Sequence, residues 1–210
     1  MTAKVQRSAR STAARRRTVM RRRVVLLLTV AGIAGLAAAI FLPRVHDAVR
    51  EITLPLRHED IIRQQASEKD LDPTLIAAVI YTESRFRDQT SIAGAKGLMQ
   101  ITPDTAKYIA RLSGGTAFRL DDLSDPQVNI SYGSYYLRYL IKRYGGNEVL
   151  ALAAYNGGEG NVDKWINRAL DDERQLKVSD IPFPETKAYV GRVEEAKREY
   201  RRTYSRQLGV

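Results

Sequence analysis

The sequence predicts a mainly helical domain with little or no sheet, preceded by a single transmembrane helix. Three observations predict it. Residues 24–42 form an apolar run without a charge. From residue 58 onward, apolar side chains recur at three- and four-residue spacing behind Asp-Pro, Thr-Pro and Asn signals, the pattern of capped helices. No run of alternating polar and apolar residues long enough for a sheet interrupts them.

The N-terminal part is read first from its charge. The 210 residues carry 34 Lys and Arg against 24 Asp and Glu, a net +10. Nine of the basic groups lie in residues 1–23, which contain no acid, so residues 24–210 hold 25 basic and 24 acidic groups and are nearly neutral. A nucleic-acid-binding domain would carry its charge on the folded face, and no nucleic-acid partner is expected. The 19 residues VVLLLTVAGIAGLAAAIFL at 24–42 would span about 28 Å as a helix, close to the ~30 Å of a hydrocarbon core. The basic block before them predicts an N-terminus on the cytoplasmic side and residues 43–210 outside. Ala37, Ala38 and Ala39 offer a signal-peptidase site, but Ile40, Phe41 and Leu42 continue the apolar run past them. An uncleaved anchor holding the protein in the membrane is therefore the expectation, with cleavage as its alternative. Residues 43–57, with Pro43 and Pro55, read as a linker, which leaves 58–207 as the folded domain.

Within that domain, residues 58–69 predict a first helix with Ile61, Ile62, Gln65 and Ala66 inward. Asp72-Pro73 starts the second, whose Leu75, Ile76, Val79 and Ile80 make an apolar face. Residues 85–101, rich in small residues, read as a loop with room for a short hairpin. Thr102-Pro103 starts a helix to about Leu112, and Asp125-Pro126 a longer one ending near Gly145-Gly146. Asn147 caps a helix through Ala154, Asn161 the next through about Leu170. The last helix, about 185–207, places Tyr189, Val193, Ala196, Tyr200 and Tyr204 on one stripe. The chain has no cysteine and two histidines, His46 and His58. Disulfides, thiolate metal sites and a cysteine nucleophile are excluded, and no metal or cofactor is implied.

One carboxylate is misplaced for stability. Counting back three, four and seven from Glu83 gives Ile80, Val79 and Ile76, so it sits on the apolar face of its helix. It is also in the last turn, where the helix dipole disfavours negative charge. Both effects favour the protonated form, as a general acid requires. A surface glutamate on a frayed turn, paired with Arg85 or Arg87, is the alternative on position alone.

The surrounding residues bear on that choice. ESRF at 83–86 is followed by SIAGAKGLMQITPDTA at 91–106 and by LAAYNGG at 152–158. Together, in this order, they resemble the catalytic domain of soluble-lytic-transglycosylase-type (SLT) enzymes. The resemblance covers about residues 60–200. It implies a lysozyme-like α+β fold and cleavage of peptidoglycan glycan strands. By that resemblance Glu83 is the single acid/base. It protonates the glycosidic oxygen between N-acetylmuramic acid and N-acetylglucosamine, and the muramyl 6-hydroxyl closes a 1,6-anhydro ring. Ser91, Met99, Gln100, Tyr155, Asn156 and Glu185 match positions bordering the family's cleft. Turn capping by Ser91, core packing by Met99, a helix-entry hydrogen bond by Gln100, shaping of the helix end by Asn156 and helix capping by Glu185 remain open beside those roles. Asp88 and Glu159 are the acids nearest in sequence to serve as a second carboxylate, although a solvated loop position suits both. A hydrolytic muramidase of related fold and a non-catalytic glycan-binding subunit of an envelope machine are the competing functions.

Overall fold

A computed structural model describes residues 28–42, 44–45, 48–114, 119–171 and 177–210. The chain divides into two compact units, Met1–Thr53 and Leu54–Val210. In the first, residues 28–42 form an exposed helix, α1, and residues 44–45 and 48–53 are also helical, within the stretch read as linker.

The expected transmembrane helix is corrected here. Among the described residues no helix is long and apolar enough to cross a membrane. The described part of the expected span, residues 28–42, rises about 22 Å at ~1.5 Å per residue, less than the ~30 Å of a hydrocarbon core. The remainder of the predicted span, 24–27, and the basic tail at 1–23 lie outside the described residues.

Among its described residues the second unit has seven α-helices: α2 (Glu59–Lys69), α3 (Pro73–Ser84), α4 (Pro103–Ser113), α5 (Pro126–Arg143), α6 (Glu148–Gly157), α7 (Glu159–Asp171) and α8 (Pro184–Leu208). Short 3-10 turns at Leu120–Ser124 and Val178–Asp180 precede α5 and α8. Four helices start as their cap residues predict. The side chains of Asp72, Thr102, Asp125 and Asn147 accept from first-turn amides of α3, α4, α5 and α6, which satisfies donors the helix itself leaves open. The exception is α7, which begins at Glu159, two residues before the expected Asn161 cap. Asn161 instead turns its amide back to donate to the Gly157 carbonyl at 2.7 Å, closing α6.

The core forms around α3. Seven consecutive residues, Thr74–Ile80, are buried, so the helix is enclosed on every side rather than along the single face its spacing suggested. Its main partner is α8, while α5 packs on α2 and α6, and α6 packs on α8. Tyr189, Val190, Val193, Ala196, Tyr200 and Tyr204 of α8 are buried, the predicted stripe plus Val190. Among the described residues, sheet is confined to two isolated antiparallel bridges, Thr90 with Lys96 and Lys96 with Ile101. They fold the 85–101 loop into a small hairpin-like turn after α3.

Candidate active site

Glu83 is the penultimate residue of α3. The chain leaves the helix through two consecutive left-handed residues, Arg85 at φ 53° and Phe86 at φ 60°. Neither is glycine, so both are strained positions. Phe86 is held there by burial and by its ring contact with Tyr200, 6.1 Å between centroids. The sharp exit leaves the Glu83 carboxyl partly enclosed. Burial pushes its pKa from the ordinary carboxylate value up to about 7, against smaller lowering influences from the Tyr189 hydroxyl and the Arg192 charge. Tyr189 is close enough to act on Glu83, yet its buried hydroxyl makes no hydrogen bond of standard geometry.

The GLMQ segment closes over this corner and is tied down by residues from three helices. Ser84 Oγ donates to the Leu98 carbonyl at 2.8 Å, linking the residue beside the acid to the loop. Tyr155 Oη, from α6, donates to the Met99 carbonyl at 2.9 Å. Asn129, from α5, is fully buried and uses its whole amide. It accepts from the Met99 N–H at 2.8 Å and donates to the carbonyls of Lys96 at 3.0 Å and Leu123 at 2.9 Å. Gly97 makes this approach possible. Its φ is +75°, and a Cβ there would collide with the Asn129 amide and lie 2.5 Å from the Leu123 carbonyl.

The predicted site residues divide by what the structure does with them. Tyr155 is brought to Glu83: the charge of Glu83, after desolvation, raises the phenol's pKa. Its hydroxyl is spent on the Met99 carbonyl rather than on the acid. Met99 is fully buried, its side chain packed against Gly133, so its link to the site runs through its backbone. Gln100, left-handed at φ 47°, donates its side-chain amide to the carbonyls of Gly97 at 2.8 Å and Gln89 at 3.0 Å. Ser91 Oγ accepts from the Ala95 N–H at 3.0 Å, capping its own turn. Asn156 Oδ1 accepts from Thr186 Oγ1 at 2.8 Å, pinning the end of α6 to the first turn of α8. Glu185 is exposed in that same first turn.

Sequence reasoning passed over Tyr189, Arg192, Ser84 and Asn129. Tyr189 was assigned to the core stripe, and its ring is buried there. Its only distinguishing signal is a polar tip on an otherwise apolar face. Asn129 carried a clearer signal, an amide beside the apolar Ile130 in the helix that Asp125-Pro126 starts, where a buried polar group demands partners.

Residues 60–178 match the model of a family described as the transglycosylase SLT domain. The chain belongs to the SLT domain family. It is 34% identical over 146 residues to the soluble lytic murein transglycosylase of Escherichia coli K12, a match covering 68% of this chain and 23% of the relative. Its fold is similar to the X-ray structure of lytic transglycosylase Slt from Pseudomonas aeruginosa, solved as an inactive glutamate-to-glutamine mutant. There the TM-score is 0.65 and the identity 35%, over 73% of this chain and 25% of that one. The 70-kDa soluble lytic transglycosylase in complex with bulgecin A is similar at a TM-score of 0.65 and 32% identity, over 72% of this chain and 25% of that one. The SLT domain thus accounts for most of this chain, which spans about a quarter of the length of these relatives. The lysozyme-like, mainly helical expectation holds for the domain.

Proposed function

We propose that this SLT domain is a lytic transglycosylase that cleaves the β-1,4 bond between N-acetylmuramic acid and N-acetylglucosamine in peptidoglycan. Glu83 serves as the single acid/base. The protonated carboxyl donates its proton to the glycosidic oxygen as the bond to the muramyl anomeric carbon breaks. The resulting carboxylate then takes the proton of the muramyl 6-hydroxyl as that oxygen bonds to the same carbon. The product is a 1,6-anhydromuramyl end, and no water is consumed.

The observation that carries this reading is the Glu83 carboxyl itself, raised to about 7 by desolvation with only a phenol and a guanidinium acting against it. A general acid works best with a pKa near the operating pH. Hydrolases of the common kind pair the acid with a second carboxylate, ~5–5.5 Å away when retaining and ~6.5–9.5 Å when inverting. Of the two acids considered for that job, Asp88 is exposed. The Glu159 carboxylate is occupied by Tyr136, Tyr139 and Arg143. An acid that is reprotonated by the attacking 6-hydroxyl needs no such partner. The name of the Pseudomonas relative, an inactive Glu-to-Gln mutant, fits a reaction that depends on one glutamate.

Around the acid, Tyr155, Ser84 and Asn129 hold the loop backbone, and the buried Tyr189 hydroxyl acts on the carboxyl itself. Gln100, Ser91, Asn156 and Glu185 border the groove as substrate-binding candidates. The test is digestion of purified sacculi with mass spectrometry of the products. Anhydromuramyl ends are expected. Reducing muramyl ends would overturn the reading in favour of a hydrolase.

A further inference from the structure

The reaction above leaves one well-built polar cluster unused. Glu159 opens α7, directly after the turn that ends α6. One of its carboxylate oxygens accepts from Tyr136 Oη at 3.2 Å. The other accepts from Tyr139 Oη at 3.1 Å and pairs with Arg143 Nε at 3.1 Å. Tyr139 Oη in turn shares a 2.8 Å hydrogen bond with Tyr108 Oη of α4. Arg143 also reaches Asp163 at 2.6 Å. Helices α4, α5 and α7 therefore converge on a single carboxylate. The side-chain exposure of Glu159 is 19%, so its bonds are largely shielded from water and stronger for it.

The cluster continues toward the acid. The Tyr136 ring stacks on Tyr139 with centroids 6.1 Å apart and packs on Tyr155 at 5.6 Å. Tyr155 holds the Met99 carbonyl, and the adjoining Leu98 carbonyl is held by Ser84, next to Glu83. Each link is a formed hydrogen bond or a ring contact.

We infer that Glu159 is a positioning residue for the proposed transglycosylase reaction: by fixing Tyr136 it fixes Tyr155, and with it the Leu98–Met99 backbone, a wall that Ser84 ties to the helix end beside Glu83. The inference rests on the reading of Glu83 as the acid. Phenols that donate to a carboxylate cannot swing freely, and a neutral hydroxyl without that anchor can. A displacement of ~1 Å at a catalytic group costs on the order of a hundredfold in rate, so small loosening of this wall is felt.

The groups acting on Glu83 come from α8, as Tyr189 and Arg192, and from α6, as Tyr155, whose own titration feels Glu83. Glu159 is not among them, so its influence must pass through Tyr136. Three variants separate that path from a direct charge effect. Tyr136→Phe cuts the link while leaving both charges in place. Glu159→Ala removes the anchor. Glu159→Gln keeps the shape and one acceptor. Each is measured for kcat and KM on sacculi, for the midpoint of the Glu83 carboxyl by 13C NMR titration, and for Tm.

Tyr136→Phe and Glu159→Ala should each lower kcat about tenfold or more, with KM changed less than about twofold. Glu159→Gln should retain more activity than Glu159→Ala. In the first two the Glu83 midpoint should move down from about 7, as water enters a loosened wall. If Tm falls while kcat and the midpoint stay at wild-type values, the cluster is only structural and the inference is overturned. An inactive wild-type protein would refute the proposed reaction instead, and the Glu83 midpoint alone would then decide whether Glu159 is coupled to that carboxyl.

Discussion

Glu83 is a residue whose environment works against its charge, and both its chemistry and its cost follow from that. With a folded-state pKa of about 7 against an ordinary 4.5, the folded protein binds the proton more tightly than the unfolded chain. The associated stability is full below about pH 4.5 and is lost as pH rises through 7. At ~1.4 kcal/mol per unit the loss approaches roughly 3 kcal/mol. Glu83→Gln should therefore abolish glycan cleavage and also raise Tm at pH 8, by several degrees for a chain this size, with no such gain at pH 4.5. Thermal melts at the two pH values check the sign; an equal effect at both would contradict it. The catalytic counterpart is a kcat/KM that falls as pH rises above about 7, because the acid is then ionised. Gly97 is a second residue whose surroundings oppose a change. Gly97→Ala meets both a left-handed φ and the Asn129–Leu123 contact, and it should destabilise by about 2 kcal/mol or more, seen as a lower urea midpoint.

At the scale of elements, the sequence was most legible where a polar side chain precedes proline. Asp72-Pro73, Thr102-Pro103 and Asp125-Pro126 each mark a helix start within a residue, because cap geometry is local and needs no tertiary context. Legibility fails where a side chain has two local uses. Asn161 suits an N-cap but closes the preceding helix instead, and nothing in its neighbours distinguishes the two. It also fails for α3, where apolar spacing shows one face but cannot reveal that Ala77 and Ala78 are enclosed as well. The site divides the same way. Glu83 was singled out by its helical register together with the motifs around it, all of them local, whereas Tyr189 and Asn129 act across elements distant in sequence. The start of α3 carries its own prediction. Asp72 accepts from the Thr74 N–H at 2.9 Å and pairs with Arg201 and Lys197 of α8. Burial acts to raise its pKa, but the bonds from Thr74 and the basic partners outweigh it, and the net value lies below the ordinary one. Its stabilisation is present above about pH 4 and is lost as pH falls through the lowered value. Asp72→Ala should cost about 1–2 kcal/mol at pH 7, and the cost should shrink in acid; denaturant titrations at pH 7 and pH 2.5 would show it.

For the whole molecule, charge and hydropathy said most about the N-terminal region, while the helices and motifs described the rest. The apolar count pointed to a membrane span, and among the described residues no helix is long and apolar enough to be one. The boundary of the second unit is set by packing rather than by pattern. The family match begins at residue 60, but the compact unit begins at Leu54. The difference has a physical cause. Tyr200 Oη donates to the Pro55 carbonyl at 2.5 Å and Tyr204 Oη to the Leu54 carbonyl at 2.7 Å. Pro55 is buried, and Leu54 and Leu56 pack against the core. Tyr200 is fully buried and touches both Tyr81 and Phe86, so this brace reaches the helix and the turn that carry Glu83. A chain starting at Leu54 should keep the full stability of this unit. One starting at residue 60 loses the hydrogen bonds of Tyr200 and Tyr204 to the Pro55 and Leu54 carbonyls, at about 1–3 kcal/mol, and exposes the apolar contacts of Leu54 and Leu56 as well. Urea unfolding of the two should therefore differ by at least that amount, with the shorter chain also losing activity through the displaced Phe86 turn. Equal stability and equal activity would show that residues 54–59 lie on the domain without bracing it.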